Sequence, residues 1–427
     1  MNHSDRSVQA AGSLDESFAD SGIFRLALDS LEPETLLFGL TAAHATGHLY
    51  FTGKVQSGVT HSPYLLGRLL VDGTLDNRFG TNGVVTGFFA GTNESQGNAV
   101  SVLSDGKILV TGSVGGARDP ALARYLPDGT PDVEFGMAGH VVLPRPQELN
   151  ALMLMDVGGG KDQSVPANVL PLDNGKILIV NSYVITHLAD TRAFIFQLNN
   201  DGSLDTSFND KGYVQVIYPG ADPADVKVHG GLIDQDGNIV VCGQLAPRSG
   251  TSAPLFARYG LNGSLDQGFG NGGFVIVSVS ESARLVAIIQ QPNNRLLGIG
   301  RTETPQGLLI GLEPDGSANI QFNRGQPLLT RLNNEPTYWA SGLMQPDGKI
   351  VLIGKQLDET APAVVARILS DGSFDTTFAG IGWVGTDVGG RTTFYAVTLQ
   401  KDGKIVVAGT GITPEFQGQV LRLHGRG

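Results

Sequence analysis

A seven-bladed, all-β propeller with four antiparallel strands per blade is the architecture this sequence predicts, and three observations predict it. An eight-residue motif recurs seven times, a hairpin signature recurs once inside each interval, and no stretch sustains a helical period. Aligned on its Phe, the motif reads AGSLDESF (Phe18), DGTLDNRF (Phe79), DGTPDVEF (Phe135), DGSLDTSF (Phe208), NGSLDQGF (Phe269), DGSANIQF (Phe322) and DGSFDTTF (Phe378), a mean spacing of 60 residues over six intervals. The 59 Gly and 21 Pro suit a chain with many tight turns.

The hairpin signatures come next. They read ATGHLYFTG, SDGKILVTG, DNGKILIVN, QDGNIVVCG, NNRLLGIG, PDGKIVLIG and KDGKIVVAG. Asp-Gly or Asn-Gly takes the positive φ angles of a tight turn at little steric cost, and the apolar run behind it is continuous, so both faces of that strand are expected to be covered. The closing residue (Gly53, Gly112, Gly243, Gly300, Gly354, Gly409, with Asn181 in the third copy) marks a place that needs φ > 0 or close backbone approach.

Each unit then reads as four strands. Strand a follows the motif (GVVTGFF, GYVQVIY, GFVIVSV), b and c form the hairpin, and d precedes the next motif (ALARYLPDG, LFARYGLNG, VVARILSDG). The units run over about 12–73, 74–129, 130–202, 203–263, 264–316, 317–372 and 373–427 of one propeller domain spanning 1–427. A four-stranded unit buries both faces against its neighbours, which is what a propeller blade does; the alternative, a β-helix, uses shorter coils and needs capped ends. The sequence ends on VLRLHGRG, another strand d with His424-Gly425 in the Asp-Gly place, so a ring closed between the last and first units is expected.

The combination of DG-x-L-D-x-x-F-G-x-x-G with DGK-I-x-V-x-G at this spacing resembles the delta-60 repeat β-propeller family of bacterial proteins, over essentially the whole chain. The resemblance implies a propeller and a bacterial source, and it implies no activity.

Several repeated residues have structural assignments. An Arg stands eight positions before the motif Asp in four copies: Arg68 and Asp76, Arg124 and Asp132, Arg258 and Asp266, Arg367 and Asp375. In the fifth copy Gly311 and Asn319 replace both charges together, and in the third Gln197 precedes Asp205. Paired loss is what a partnership predicts, because a buried carboxylate without its cation is costly. Arg422 has no downstream Asp, and ring closure would bring it to Asp15. The motif Phe is read as a wedge between blades.

Other chemistry finds little support. Asn199, Asp201, Ser203 and Asp205 alternate as in a calcium loop, but Leu126 takes the place of Asn199 in another copy, so turns explain these residues and no cofactor is expected. GGGKDQS (158–164) lacks a phosphate-loop spacing, His44 and His48 flank a turn, and HExxH, GxSxG and paired CxxC are absent from the sequence. Cys242, the one cysteine, is expected to be buried. Net charge is −12 with scattered Lys and Arg, which argues against a nucleic-acid partner. No apolar run is long enough to span a bilayer and the N-terminus does not read as a signal peptide, so a cytoplasmic location is expected by default, with leaderless export the alternative.

Function is therefore expected on the face opposite the repeated turns, in the a–b and c–d loops, with strand a innermost and the a–b loops rimming a central channel. Those loops offer Phe88, Phe89, Asn93, Glu94, Tyr218, Glu281, Arg284, Arg331, Tyr338, Trp339, Arg391, Phe394 and Tyr395. Of these, Phe88, Arg284, Tyr338, Trp339, Arg391 and Tyr395 are the candidate ligand residues, with Trp339 or Tyr395 stacking on a sugar or apolar group and Arg391 fixing an anionic one. A longer third loop, 143–166, adds Met153 and Met155 in an apolar strip suited to a protein partner or self-association. The leading reading is a non-enzymatic binding scaffold for a protein or carbohydrate ligand. The alternatives are a carbohydrate-binding propeller and a hydrolase or lactonase, for which Asp387, Glu94 and Glu281 are the loose acid candidates.

Overall fold

The computed structural model describes residues 10–28, 34–56, 61–115, 119–149, 168–184, 191–357, 362–386, 388, 391–412 and 415–426. Its strands form seven separate four-stranded antiparallel sheets, the blades of a propeller. The innermost strands are Glu34–Ala42, Ser95–Val102, Asn168–Pro171, Val226–Ile233, Ala283–Gln290, Thr337–Met344 and Arg391–Leu399. Each touches the innermost strand of the next blade, and Arg391–Leu399 touches Glu34–Ala42, so the ring is closed. Closure is made by strand exchange between the ends of the chain: the seventh blade takes Arg391–Leu399, Ile405–Ile412 and Phe416–Leu423 from one end and its outermost strand, Ile23–Arg25, from the other, with Ile23 opposite Leu421. No helix among the described residues is long and apolar enough to cross a membrane.

The strand expected to be innermost is in fact outermost. Val84–Gly87, which follows the second motif, pairs with Tyr64–Leu69 at the rim of the first blade, and the first arm of each hairpin lines the axis instead. Sequence repeat and blade are thus out of phase by one strand, and the motif connects the third and fourth strands of a single blade. The reason is burial. The second strands are the most apolar, as in Ile405–Ala408 with every side chain inaccessible, so they need strands on both edges and blades on both faces. The short segments after each motif carry partly exposed side chains and suit the rim.

The motif clamps neighbouring blades. All seven motif Phe side chains are buried, and Phe79 packs with Tyr50 and Leu66 of the first blade and Val100 and Ile108 of the second. Burying one such ring contributes about 1.5–3 kcal/mol. The Arg–Asp ion pairs form, but within one blade, where a clip to the connector entering the next blade was expected, because the motif joins two strands of the same sheet: Arg68 Nη2 to Asp76 at 2.8 Å, Arg124 Nε to Asp132 at 2.6 Å, and Arg258 and Arg367 to Asp266 and Asp375 at 2.7 Å. Each Arg also lies over its own motif Phe, 4.4–4.8 Å from the ring centre. The crossing to the next blade is made by the free end of the guanidinium, which donates to the carbonyl of Pro127, Asn200, Pro314 or Gly425 in the neighbouring turn. In the fifth blade a Cβ at position 311 would lie 2.8 Å from the Cβ of Phe322, so the ring fills the space the Arg side chain takes elsewhere.

The Lys of the DGK turn completes the clamp, a role not apparent from the sequence. Lys107, Lys176, Lys349 and Lys404 reach Asp132, Asp205, Asp375 and Asp15 at 2.6–2.9 Å. Asp201 caps its own turn, its Oδ1 accepting from the Ser203 N–H at 2.9 Å and from the Ser203 hydroxyl. Cys242 is inaccessible, and burial pushes its thiol pKa upward.

Candidate functional site

The closing glycine of each hairpin turns out to shape the axis. In the six copies that carry it, its φ is ordinary, but a Cβ would meet the carbonyl oxygen of the innermost strand at 1.7–2.0 Å: Leu36, Gln96, Lys227, Arg284, Tyr338 and Thr393 for Gly53, Gly112, Gly243, Gly300, Gly354 and Gly409. Directly beyond that contact the register skips one residue, a β-bulge, at Phe38, Asn98, His229, Val286, Ala340 and Tyr395. A bulge re-aims a side chain and leaves it outside the ladder. The corresponding position of the third blade, residue 167, lies outside the described residues.

All six bulge residues line one central cavity of about 950 Å³. Gln96, Asn168, Arg284, Tyr338 and Thr393 of the innermost strands join them, together with Ser113, Arg301 and Lys355 of the second strands. Because each innermost strand starts on the face opposite the repeated turns, residues before the bulge lie nearer that face. Two smaller recesses continue the cavity, one of about 350 Å³ beside Arg284, Arg301 and Tyr338 and one of about 440 Å³ beside Lys355, Arg391 and Tyr395.

Charge is unevenly distributed around this wall. Arg284 and Arg301 sit directly opposite one another on paired strands, and the Arg301 guanidinium lies 4.3 Å from the Tyr338 ring centre. Tyr338 in turn faces Lys355 across its own strand pair. Burial, then the charge of Arg284, lowers the pKa of Arg301; burial, then Arg301 and Arg391, lowers that of Lys355; burial, then Arg284, lowers that of Lys227. His229 is pushed down to about 3 by burial and then by Arg284, Lys227 and Arg301, so it is neutral at pH 7, and its Nε2 has no hydrogen-bond partner. On the far wall Gln96 Nε2 donates to Asn98 Oδ1 at 2.7 Å, while the buried Asn168 Oδ1 is unpartnered.

Of the residues singled out from sequence, Arg284, Tyr338 and Tyr395 line the central cavity, and Arg391 borders the recess beside it; all four are on innermost strands, where loops were expected. Tyr395 is 41% exposed and meets Phe38 edge to face at 5.1 Å. Phe88 follows the outermost strand Val84–Gly87 and is half-buried. Trp339 is corrected: it is 1% exposed and its indole N–H donates to Thr330 Oγ1 at 2.9 Å, so no ring face is free to stack on a ligand. Alternation along the strand explains this, since Trp339 and Tyr338 point to opposite sides. Glu94 pairs with Lys54, and Glu281 accepts hydrogen bonds from Thr304 and Gln306. Met153, Met155, Asp387 and the 158–164 glycine turn lie outside the described residues.

Phe38, Asn98, His229, Arg301 and Lys355 were missed, although a signal for the bulge residues exists. Asn98, His229, Ala340 and Tyr395 each stand eight positions before the Gly of the next hairpin turn.

Comparison with known proteins adds fold and no activity. No curated protein sequence matches this chain. Among solved structures, YCF48 from Cyanidioschyzon merolae is similar at 12% identity, over 95% of this chain and 99% of that one, with a TM-score of 0.47. Sqt1 from Chaetomium thermophilum is similar at 13% identity, over 92% and 97%, with a TM-score of 0.46. Drosophila Semaphorin 1a is similar at 9% identity, over 92% and 86%, with a TM-score of 0.49. Four segments, 103–135, 172–208, 235–269 and 345–378, match the family described as "Domain of unknown function (DUF5122) beta-propeller", and each spans one hairpin signature and the motif that follows it, which supports a propeller repeat family of unknown function.

Proposed function

We propose that this protein is a non-catalytic binding propeller whose ligand seats in the central cavity, entering from the face opposite the repeated turns. One observation carries the reading: the repeated bulge projects a different side chain from each of six blades (Phe, Asn, His, Val, Ala and Tyr) into a single space, while the residues that repeat are occupied in holding the blades together. A cavity of about 950 Å³ falls within the range of small-molecule sites. No Asp or Glu among the described residues lines it, which favours binding over acid–base chemistry.

The test is a thermal-shift screen of small molecules, oligosaccharides and peptides against the native chain and an Ala340→Trp variant. Ala340 is a bulge residue lining the cavity two positions from Tyr338, so the indole obstructs the space beside Tyr338 without entering the core. Ligands that stabilise the native protein are expected to leave the variant unmoved. Equal stabilisation of both would place binding elsewhere and overturn the reading.

A further inference from the structure

We infer that the cavity selects a small multivalent anion, bearing carboxylate or phosphate groups on at least two positions, held between the Arg284–Arg301 pair and Lys355. The inference rests on the cavity being the binding site and names the chemistry of what fills it.

Arg284 and Arg301 are directly opposed on neighbouring strands, half-buried, and form no ion pair with any described residue. Like charges in that relation destabilise a sheet. The inter-blade arginines are treated differently: the buried Arg68, Arg124, Arg367 and Arg422 and the partly buried Arg258 each have an Asp within 2.8 Å. The chain as a whole carries 41 acidic against 29 basic residues, yet no Asp or Glu among the described residues lines the main cavity; Glu303, in the recess beside the pair, forms no ion pair with either Arg among the described residues. Lys227 and Lys355 flank the pair on the preceding and following blades, and Arg391 stands one blade further on. Arg284, Arg301 and Lys355 line the cavity itself, Arg391 borders the recess beside it and Lys227 stands behind the wall, a cationic side in an acidic protein that focuses the field on an entering anion.

The geometry suits two anionic groups better than one. The Arg301 guanidinium lies 4.3 Å from the Tyr338 ring centre, a contact that fixes its place on the wall, and a guanidinium can take a planar or tetrahedral oxyanion through two N–H groups. Lys355, across the Tyr338 position, supplies a second point charge. Two lining residues also keep a buried polar atom without a hydrogen-bond partner, His229 at Nε2 and Asn168 at Oδ1, so the protein itself does not satisfy the polar groups of this wall. A small polycarboxylate and a small molecule carrying two phosphoryl groups both supply oxyanions for these two positions. The two sources share the oxyanion chemistry and are separated by experiment.

Citrate and pyrophosphate are the probes, titrated into the full chain by calorimetry at matched ionic strength, with glucose as the neutral arm. Native protein is expected to bind at least one of the two saturably. Arg284→Gln and Arg301→Gln, checked for native folding by circular dichroism, are each expected to weaken that binding about tenfold or more, the loss of one charge-assisted hydrogen bond. Ala340→Trp is expected to abolish it. Binding that the Gln variants leave intact overturns the anion assignment, as does heat that vanishes when chloride is matched or no response to either anion at millimolar concentration. Saturable binding of glucose alone, blocked by Ala340→Trp, overturns the anion assignment and leaves the cavity reading standing. Anion binding that Ala340→Trp does not disturb overturns both.

Discussion

Arg422 Nε lies 2.7 Å from Asp15 Oδ2, an ion pair between the two ends of the chain that fastens the last blade to the strand completing it. Both side chains are almost wholly buried, and Lys404 Nζ reaches the same carboxylate oxygen at 2.7 Å. Replacing Asp15 with Ala strands two cations inside the closure. The expected loss is about 3–5 kcal/mol, against under about 0.5 kcal/mol for Asp402→Ala at the exposed neighbour of Lys404. Urea unfolding of both variants checks the contrast, and equal midpoints would refute it.

The same pairs set the acid limit of stability. Hydrogen bonds from Lys176 and Ser207 hold the Asp205 carboxyl at about 2, below its ordinary 3.8. For Asp15 and Asp375 burial alone would raise the pKa, but hydrogen bonds from Lys404 and Ser17, and from Thr377 and Lys349, with the Arg422 and Arg367 charges, together lower it well below the usual range. A carboxylate depressed on folding adds stability above its unfolded pKa, and that stability drains away as pH falls toward the folded value. Urea midpoints are therefore expected to be level from about pH 7 to 5 and to drop between about pH 4 and 2. Lys176→Met should show a shallower drop.

Gly354 and Gly348 sit in the same hairpin and predict opposite sensitivities. A Cβ at 354 would lie 1.8 Å from the Tyr338 carbonyl oxygen, so Gly354→Ala has to push the bulge aside, at a cost of about 3 kcal/mol or more. At 348 the φ of 84° is strained for Ala but nothing stands within 4 Å, and about 1–2 kcal/mol is expected. Only the first variant should also disturb ligand binding at Ala340.

Arg284→Gln removes a like-charge opposition and is expected to stabilise the unliganded protein by about 0.2–1 kcal/mol. A rise in urea midpoint together with loss of citrate or pyrophosphate binding would show stability given up for recognition. A fall would mean that Arg284 has a structural partner.

Trp339→Ala is expected to cost about 3–5 kcal/mol, the penalty of an emptied core site, because the ring is buried among Ile299, Leu309 and Leu352. Tyr395→Ala, at a half-exposed bulge, should leave stability within about 1 kcal/mol and change only binding. Denaturation curves of the two variants separate the residue that builds the wall from the one that faces the ligand.

Much of this was legible in one dimension. Seven copies of a motif and hairpin, the covariation of Arg with Asp eight residues on, and the Arg422–Asp15 meeting all follow from local turn chemistry and from charges that must pair when buried. The candidate site was half legible: Arg284, Tyr338, Arg391 and Tyr395 were named as residues of non-repeating loops, and they lie at or beside the cavity on the innermost strands instead.

The sequence by itself determined the number of blades, the partnership of Arg with Asp and the face on which irregular loops lie, because each depends on spacing within a single repeat. Only the tertiary structure decided which strand is innermost, since that turns on how apolar runs from seven blades share burial. It also decided that Trp339 packs inward while Tyr338 faces the axis. The closing glycines pointed to a positive φ or a close backbone approach at 53, 112, 243, 300, 354 and 409; the structure shows the second, with a carbonyl oxygen in the way of any Cβ, and only the closed circle gathers the side chains of the adjoining bulges around one cavity.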